Sequence, residues 1–104
     1  MIKVSVLYPN EPGKKFDMDY YTNKHLPLVH QRLDSMGLVR SEAEKGVSSA
    51  DPNAPAPFVA GVALYFNTTD EVHEGFKTHG REVMGDIPNY TDIKPTIQIS
   101  EVLR

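Results

Sequence analysis

The segment Phe58 to Phe66, Phe-Val-Ala-Gly-Val-Ala-Leu-Tyr-Phe, constrains the fold of this chain more than any other. It reads as a strand that is apolar on both faces, and such a strand belongs in the centre of a sheet. Val59, Gly61, Ala63 and Tyr65 fall on one side, and Phe58, Ala60, Val62, Leu64 and Phe66 on the other. Helices can cover one side. The opposite side is too apolar to leave in water, and an exposed apolar patch of that size marks an interface. The expectation is that two subunits pack sheet to sheet as a two-fold homodimer.

The rest of the chain supplies the partners of this strand. Ile2 to Tyr8 alternates, with Ile2, Val4, Val6 and Tyr8 on one side, and reads as a strand. Asp17 is a good helix N-cap, and Phe16 can pack on Tyr21 as a hydrophobic staple. A helical pattern follows to Met36, where Gly37 supplies the stop. Leu38 to Val47 reads as a strand with Arg40, Glu42 and Glu44 on one polar face. Ser48 to Pro57 is a loop rich in Ser, Ala and Pro, long for a hairpin, and loops of that length are either mobile or functional. Thr68 and Glu71 form a capping box that opens a second helix, whose apolar face is Val72, Phe76, Val83 and Ile87. Gly75 and Gly80 weaken that helix by about 1 kcal/mol each and call for close packing or a local break. Asp86 to Lys94 is irregular, and Pro95 to Leu103 reads as the last strand. The order β-α-β-β-α-β predicts an α+β, ferredoxin-like fold, a four-stranded antiparallel sheet with two helices on one face.

Composition removes several functional classes. With 104 residues, the chain is expected to form one domain, residues 1–104. It has no cysteine, which excludes disulfides, thiolate nucleophiles and Cys-based metal sites and fits a cytoplasmic setting. Eleven basic and fourteen acidic residues give a net charge of −3 without a basic run, so nucleic acid is a poor partner. No apolar run is long enough to span a bilayer. Met1-Ile2-Lys3 leads directly into a strand pattern, and no targeting peptide is expected.

The candidate chemistry centres on His25. Pro27, two residues later, has no amide hydrogen, and its ring collides with the carbonyl four residues back, at Asn23. The helix is therefore expected to break or kink there, freeing backbone groups beside a side chain that titrates near neutral pH. Tyr21, one turn earlier, shares its face. A phenol and an imidazole side by side can hold an oxygen and move a proton. The alternative is that His25 only donates to a freed carbonyl and holds the kink. His30 reads as a solvated surface histidine. His79 lies near the buried face of the second helix and either is satisfied in the core or faces the cavity of His25. Asp86, Asn89 and Tyr90 follow that helix: Asp86 can orient a histidine and Tyr90 can line a pocket, or the group is turn chemistry alone. His73-Glu74 lacks the second histidine four residues on that a zinc-protease helix needs, since that position is Lys77. No metal site and no cofactor are expected.

The opening Met1-Ile2-Lys3-Val4-Ser5-Val6-Leu7-Tyr8-Pro9, the segment Phe16-Asp17-Met18-Asp19-Tyr20-Tyr21 and the following Lys24-His25-Leu26-Pro27 resemble the EthD family. So do Asp86-Ile87-Pro88-Asn89-Tyr90-Thr91 and Gln98-Ile99-Ser100-Glu101-Val102. The resemblance spans nearly the whole chain. It implies a dimeric α+β barrel. The family takes its name from a small protein required for ethyl tert-butyl ether degradation beside a cytochrome P450 system. Monooxygenases, lactone isomerases and polyketide cyclases occur in the wider superfamily, several of them without a cofactor. In this resemblance the histidine of a Tyr-x-x-x-His-x-Pro motif falls on His25.

Three functions stand against one another. The first is a cofactor-independent oxidoreductase, monooxygenase or isomerase acting on a small hydrophobic, oxygen-bearing compound. His25 would be its proton carrier, and Tyr21, Tyr65, His79, Asp86 and Tyr90 would form the substrate site. The second is a non-catalytic binding protein that accompanies a degradation pathway. The third is a structural dimer module.

Overall fold

The computed structural model describes residues 1–104. Strand β1 (Ile2–Pro9) leads into a helical stretch made of α1 (Met18–Tyr20), a π-helical turn (Tyr21–His25), α2 (Leu26–Leu33) and a 3-10 turn (Asp34–Met36). Strands β2 (Arg40–Lys45) and β3 (Phe58–Phe66) follow, then α3 (Thr69–Gly85), a 3-10 turn (Ile87–Asn89) and β4 (Thr96–Glu101). The sheet order is β2-β3-β1-β4, with every neighbouring pair antiparallel. This is the ferredoxin-like arrangement, with β3 inside the sheet as its two apolar faces require.

Two strands are shorter than their sequence patterns suggest, although the flanking backbone still bonds across the sheet. Leu38 turns into the core before β2, while the Val39 and Gly46 amides still donate to Tyr65 and Val59 across the sheet. Pro95 has no amide to contribute to β4. At the other end, the Val102 amide donates to Met1.

The core lies between sheet and helices. Val4, Val6 and Tyr8 of β1 and Ala60, Val62, Leu64 and Phe66 of β3 meet Val29 and Leu33 of α2 and Val72 and Val83 of α3. The helix ends form as their sequences dictate. The Tyr20 amide donates to the Asp17 carboxylate, and Phe16 packs edge-on against Tyr21 at 5.0 Å. Gly37 takes φ 108°, a left-handed value that stops the helical stretch without a Cβ penalty. Thr68 and Glu71 satisfy each other's amides at 3.0 and 3.1 Å, opening α3. A Cβ on Gly75 would stand 3.3 Å from Leu33, so that glycine lets the two helices approach. At Gly80 the helix runs on unbroken.

The face of the sheet away from the helices is more mixed than β3 alone suggests. Arg40, Glu42 and Glu44 of β2 lie opposite Tyr65, Ala63 and Gly61. Tyr65 donates to Glu42 at 3.1 Å, and the Arg40 guanidinium lies 3.9 Å from the centre of its ring. The apolar centre of that face is thus bordered by charge. Ile97 and Ile99 stand open on β4, in register with Val6 and Val4 and so on the helix side of the sheet edge. No helix is long and apolar enough to cross a membrane.

Candidate functional site

Pro27 does not break the helix. The backbone keeps right-handed helical dihedrals through His25 and Leu26, and the strain is absorbed by one wider turn. The Leu26 amide reaches back five residues to the Tyr21 carbonyl. That spacing accommodates the proline ring, which would clash in a regular helix, and Pro27 needs no acceptor. The expected break is therefore a π-turn, a distortion that recurs at functional sites. The turn carries Tyr21 and His25 inward, buried, with their rings stacked 5.9 Å apart at 14°.

A second segment is tied to this turn from far along the chain. The Asp17 amide donates to the Tyr90 carbonyl at 2.8 Å, and the Thr91 hydroxyl to the Lys15 carbonyl at 2.6 Å. These bonds hold the end of α3 against the start of α1 and bring Asp86 to His25. Asp86 closes α3 and opens the next 3-10 turn, so its backbone position is set twice over. Its Oδ2 lies 2.9 Å from His25 Nδ1. Its Oδ1 accepts from the Tyr20 hydroxyl at 2.7 Å and from Asn89 Nδ2 at 2.9 Å.

The protonation of this network follows from its donors. Burial alone would raise the Asp86 pKa, but the bonds from Asn89, Tyr20 and His25 outweigh it and hold the carboxyl below its ordinary range. Asp86 is therefore an ionised acceptor, and His25 Nδ1 must carry the hydrogen between them. Burial pushes the His25 pKa down, and Asp86 only partly restores it. His25 is thus neutral at neutral pH, with Nδ1 donating to Asp86 and Nε2 left as a lone-pair acceptor with no protein partner. The expectation that His25 holds a freed carbonyl is not met, because its partner is a carboxylate.

His25 lines a cavity of about 20 Å³ between sheet and helices. Tyr8 is the only other wall residue with a polar side chain; Val6, Val62, Phe76 and Met84 are among the rest. That space admits roughly one water molecule. Tyr8 and Tyr90 meet hydroxyl to hydroxyl at 2.6 Å, and the Tyr90 ring lies 4.7 Å from the imidazole. The Tyr21 hydroxyl is fully enclosed and has no partner. Its pKa is pushed far up by burial and by the proximity of Tyr8 and Glu44.

The fold thus brings together Tyr21, His25, Asp86 and Tyr90. It does not bring in Tyr65, which lies on the opposite face of the sheet with Glu42 and Arg40. Nor does it bring in His79, which is half-buried on α3 and is not part of the cavity wall. No residue of the 48–57 loop lines the cavity. His30 is not simply solvated: its two ring nitrogens engage Asp34 at 2.8 Å and Ser41 at 2.6 Å, linking α2 to β2. Tyr20 and Tyr8 escaped the sequence reading. Tyr20 lies five residues from His25, a spacing that faces away in a regular helix, and only the π-turn lets both serve Asp86. Tyr8 did carry a signal, a hydroxyl at the end of the core-facing stripe of β1.

An α+β ferredoxin-like domain with a buried imidazole held by a partly buried carboxylate is the class this architecture defines. An EthD-like protein of known structure from Ralstonia eutropha JMP134 is 41% identical, with a TM-score of 0.93 and coverage of 99% of this chain and 92% of that one. An ethyl tert-butyl ether degradation (EthD) family protein from Bacillus halodurans C-125 matches at 20% identity and a TM-score of 0.68, covering 99% of both chains. A putative antibiotic biosynthesis monooxygenase from Bordetella bronchiseptica shares the fold at 11% identity and a TM-score of 0.65, covering 99% of this chain and 97% of that one. No protein-family model and no curated protein matches the sequence. The chain belongs to the EthD family.

Proposed function

We propose that this protein is an enzyme that moves a proton on a small hydrophobic, oxygen-bearing compound, with His25 as the base. The observation that carries this is the His25–Asp86 pair: Nδ1 is committed to a carboxylate at 2.9 Å, and Nε2 is left unbonded on a ring that lines an apolar cavity. Asp86 fixes the tautomer and stabilises the imidazolium that forms when Nε2 takes a proton. Apolar walls favour a hydrocarbon body. Return of the proton to a second carbon gives an isomerisation. Electron transfer from the same anion to dioxygen, with carbon–oxygen bond formation, gives a hydroperoxide that then loses water. One oxygen atom is left in the product, the outcome of a monooxygenase, the activity in the name of the Bordetella neighbour. Both begin with one proton transfer that protein side chains can perform.

The test is deuterium exchange at the acidic C–H positions of small ketones and lactones in D2O, followed by proton NMR. Exchange should be accelerated by the protein and fall by about a hundredfold or more in His25→Ala. Ligand binding with no exchange for any compound would replace this reading with that of a binding protein accompanying a degradation pathway. We also infer a two-fold dimer through the sheet face opposite the helices. Leu7, Val59 and Ala63 support it, being only half-buried at the centre of that face.

A further inference from the structure

Tyr8 and Tyr90 are each 1% exposed, and each makes a single side-chain hydrogen bond, the 2.6 Å contact between their hydroxyls. Two hydroxyls carry two hydrogens, and the shared bond uses one. Whichever of the two donates, one O–H is left buried without an acceptor in the protein, at a cost in stability. Tyr8 lines the cavity with His25, and Tyr90 does not. The unspent donor therefore belongs on Tyr8, with Tyr90 donating to the Tyr8 oxygen. Burial raises the pKa of both phenols, but the bond from Tyr90 works against that rise at Tyr8 and favours Tyr8 as the stronger donor.

We propose that Tyr8, oriented by Tyr90, donates the hydrogen bond that receives the substrate oxygen, in the cavity that His25, the proton acceptor, also lines. The assignment rests on the proton-transfer function and narrows its substrate to a carbonyl compound with an acidic C–H beside the carbonyl. The C–H bond breaks, its proton goes to His25 Nε2, and the electron pair moves onto the carbonyl oxygen as an enolate. Tyr8 keeps its proton, and its hydrogen bond strengthens as charge develops. Tyr90 touches no substrate and is a positioning residue. The cavity must widen to admit such a molecule. Met84 lines it and is 36% exposed, and its unbranched, flexible chain is the wall residue best suited to give way.

The experiment compares two ligands of one shape, cyclohexanone and methylenecyclohexane, titrated into the full-length protein. The readout is the ratio of their affinities, in which the hydrophobic contribution cancels between variants. Tyr8→Phe should lower the ketone-to-hydrocarbon ratio by about ten- to a hundredfold while leaving methylenecyclohexane binding within about twofold. Tyr90→Phe should lower the ratio by a smaller factor, at least about threefold. An unchanged ratio in Tyr8→Phe overturns the assignment, as does equal loss of both ligands, which marks a purely structural tyrosine. A wild type that binds neither ligand overturns it as well. If Tyr8→Phe unfolds, Tyr90→Phe decides, and an unchanged ratio there overturns the assignment. His25→Ala tests the base alone: it should lose deuterium exchange. Exchange that persists in His25→Ala, with the ratio still lost in Tyr8→Phe, removes the base and leaves the oxygen site standing.

Discussion

Replacing Tyr21 with phenylalanine should stabilise the protein. The Tyr21 side chain is 1% exposed, and its hydroxyl has no hydrogen-bond partner. An enclosed, unsatisfied hydroxyl costs about 1–3 kcal/mol relative to water. Phenylalanine keeps the ring contacts, edge-on to Phe16 at 5.0 Å and to Tyr8 at 5.9 Å, and stacked on His25 at 5.9 Å. No bond is lost, and the void left is a single oxygen. The expected gain is therefore about 1 kcal/mol, the lower end of that range, or roughly 4–8 °C in Tm for a domain of this size. Urea unfolding followed by far-ultraviolet circular dichroism measures it, with the m-value unchanged if the denatured state is unaffected. A loss of more than about 1 kcal/mol at constant m would refute the reasoning. It would mean that the hydroxyl is bonded, for example through water in the roughly 150 Å³ pocket that Tyr21 lines with Met18, Thr22 and Glu44. A gain in stability accompanied by a loss of deuterium exchange would show that the cost is kept for function.

Acid should destabilise the fold in two steps. The folded pKa of His25 lies below its ordinary 6.5 and that of Asp86 below its ordinary 3.8, so in both cases the unfolded chain takes the proton more readily. Stability contributed by each group is present above those values and is lost as the pH falls, by up to about 1.4 kcal/mol per pH unit per group. Urea unfolding at a series of pH values should show the upper step in the wild type and not in His25→Gln; stability that rises on acidification below 6.5 would contradict the assignment. Light scattering should give twice the chain mass of 11.6 kDa at micromolar concentration, and a stable monomer would rule out the dimer.

What the sequence made legible was local or pattern-based. The two apolar faces of Phe58–Phe66 placed β3 inside the sheet, and Asp17, Thr68, Glu71 and Gly37 marked helix ends through side-chain and backbone chemistry that acts over four residues or fewer. The π-turn was not legible. Proline states that a regular turn is impossible, but whether the chain breaks or winds wider depends on the packing of Tyr21 and His25 against the sheet. The His25–Asp86 pair joins residues 61 apart. It needs the Lys15–Asp17 strap to hold the Tyr90–Asp92 segment in place, and no sequence period encodes that contact. His79 and Tyr65 were drawn toward the site by residue type. Strand alternation put Tyr65 on the same side as Val59 and Gly61, and the pairing of Tyr8 with Ala60 turns that side away from Tyr8.

The state of His25 itself is the most direct test. Nitrogen-15 NMR of the histidine side chains distinguishes a protonated Nδ1 from a protonated Nε2 and follows the ring through its titration. The structure predicts a neutral His25 with the hydrogen on Nδ1, a bare Nε2 and a pKa below 6.5. A hydrogen on Nε2 at neutral pH, or a ring that is still charged there, would remove the base on which the proposed function depends.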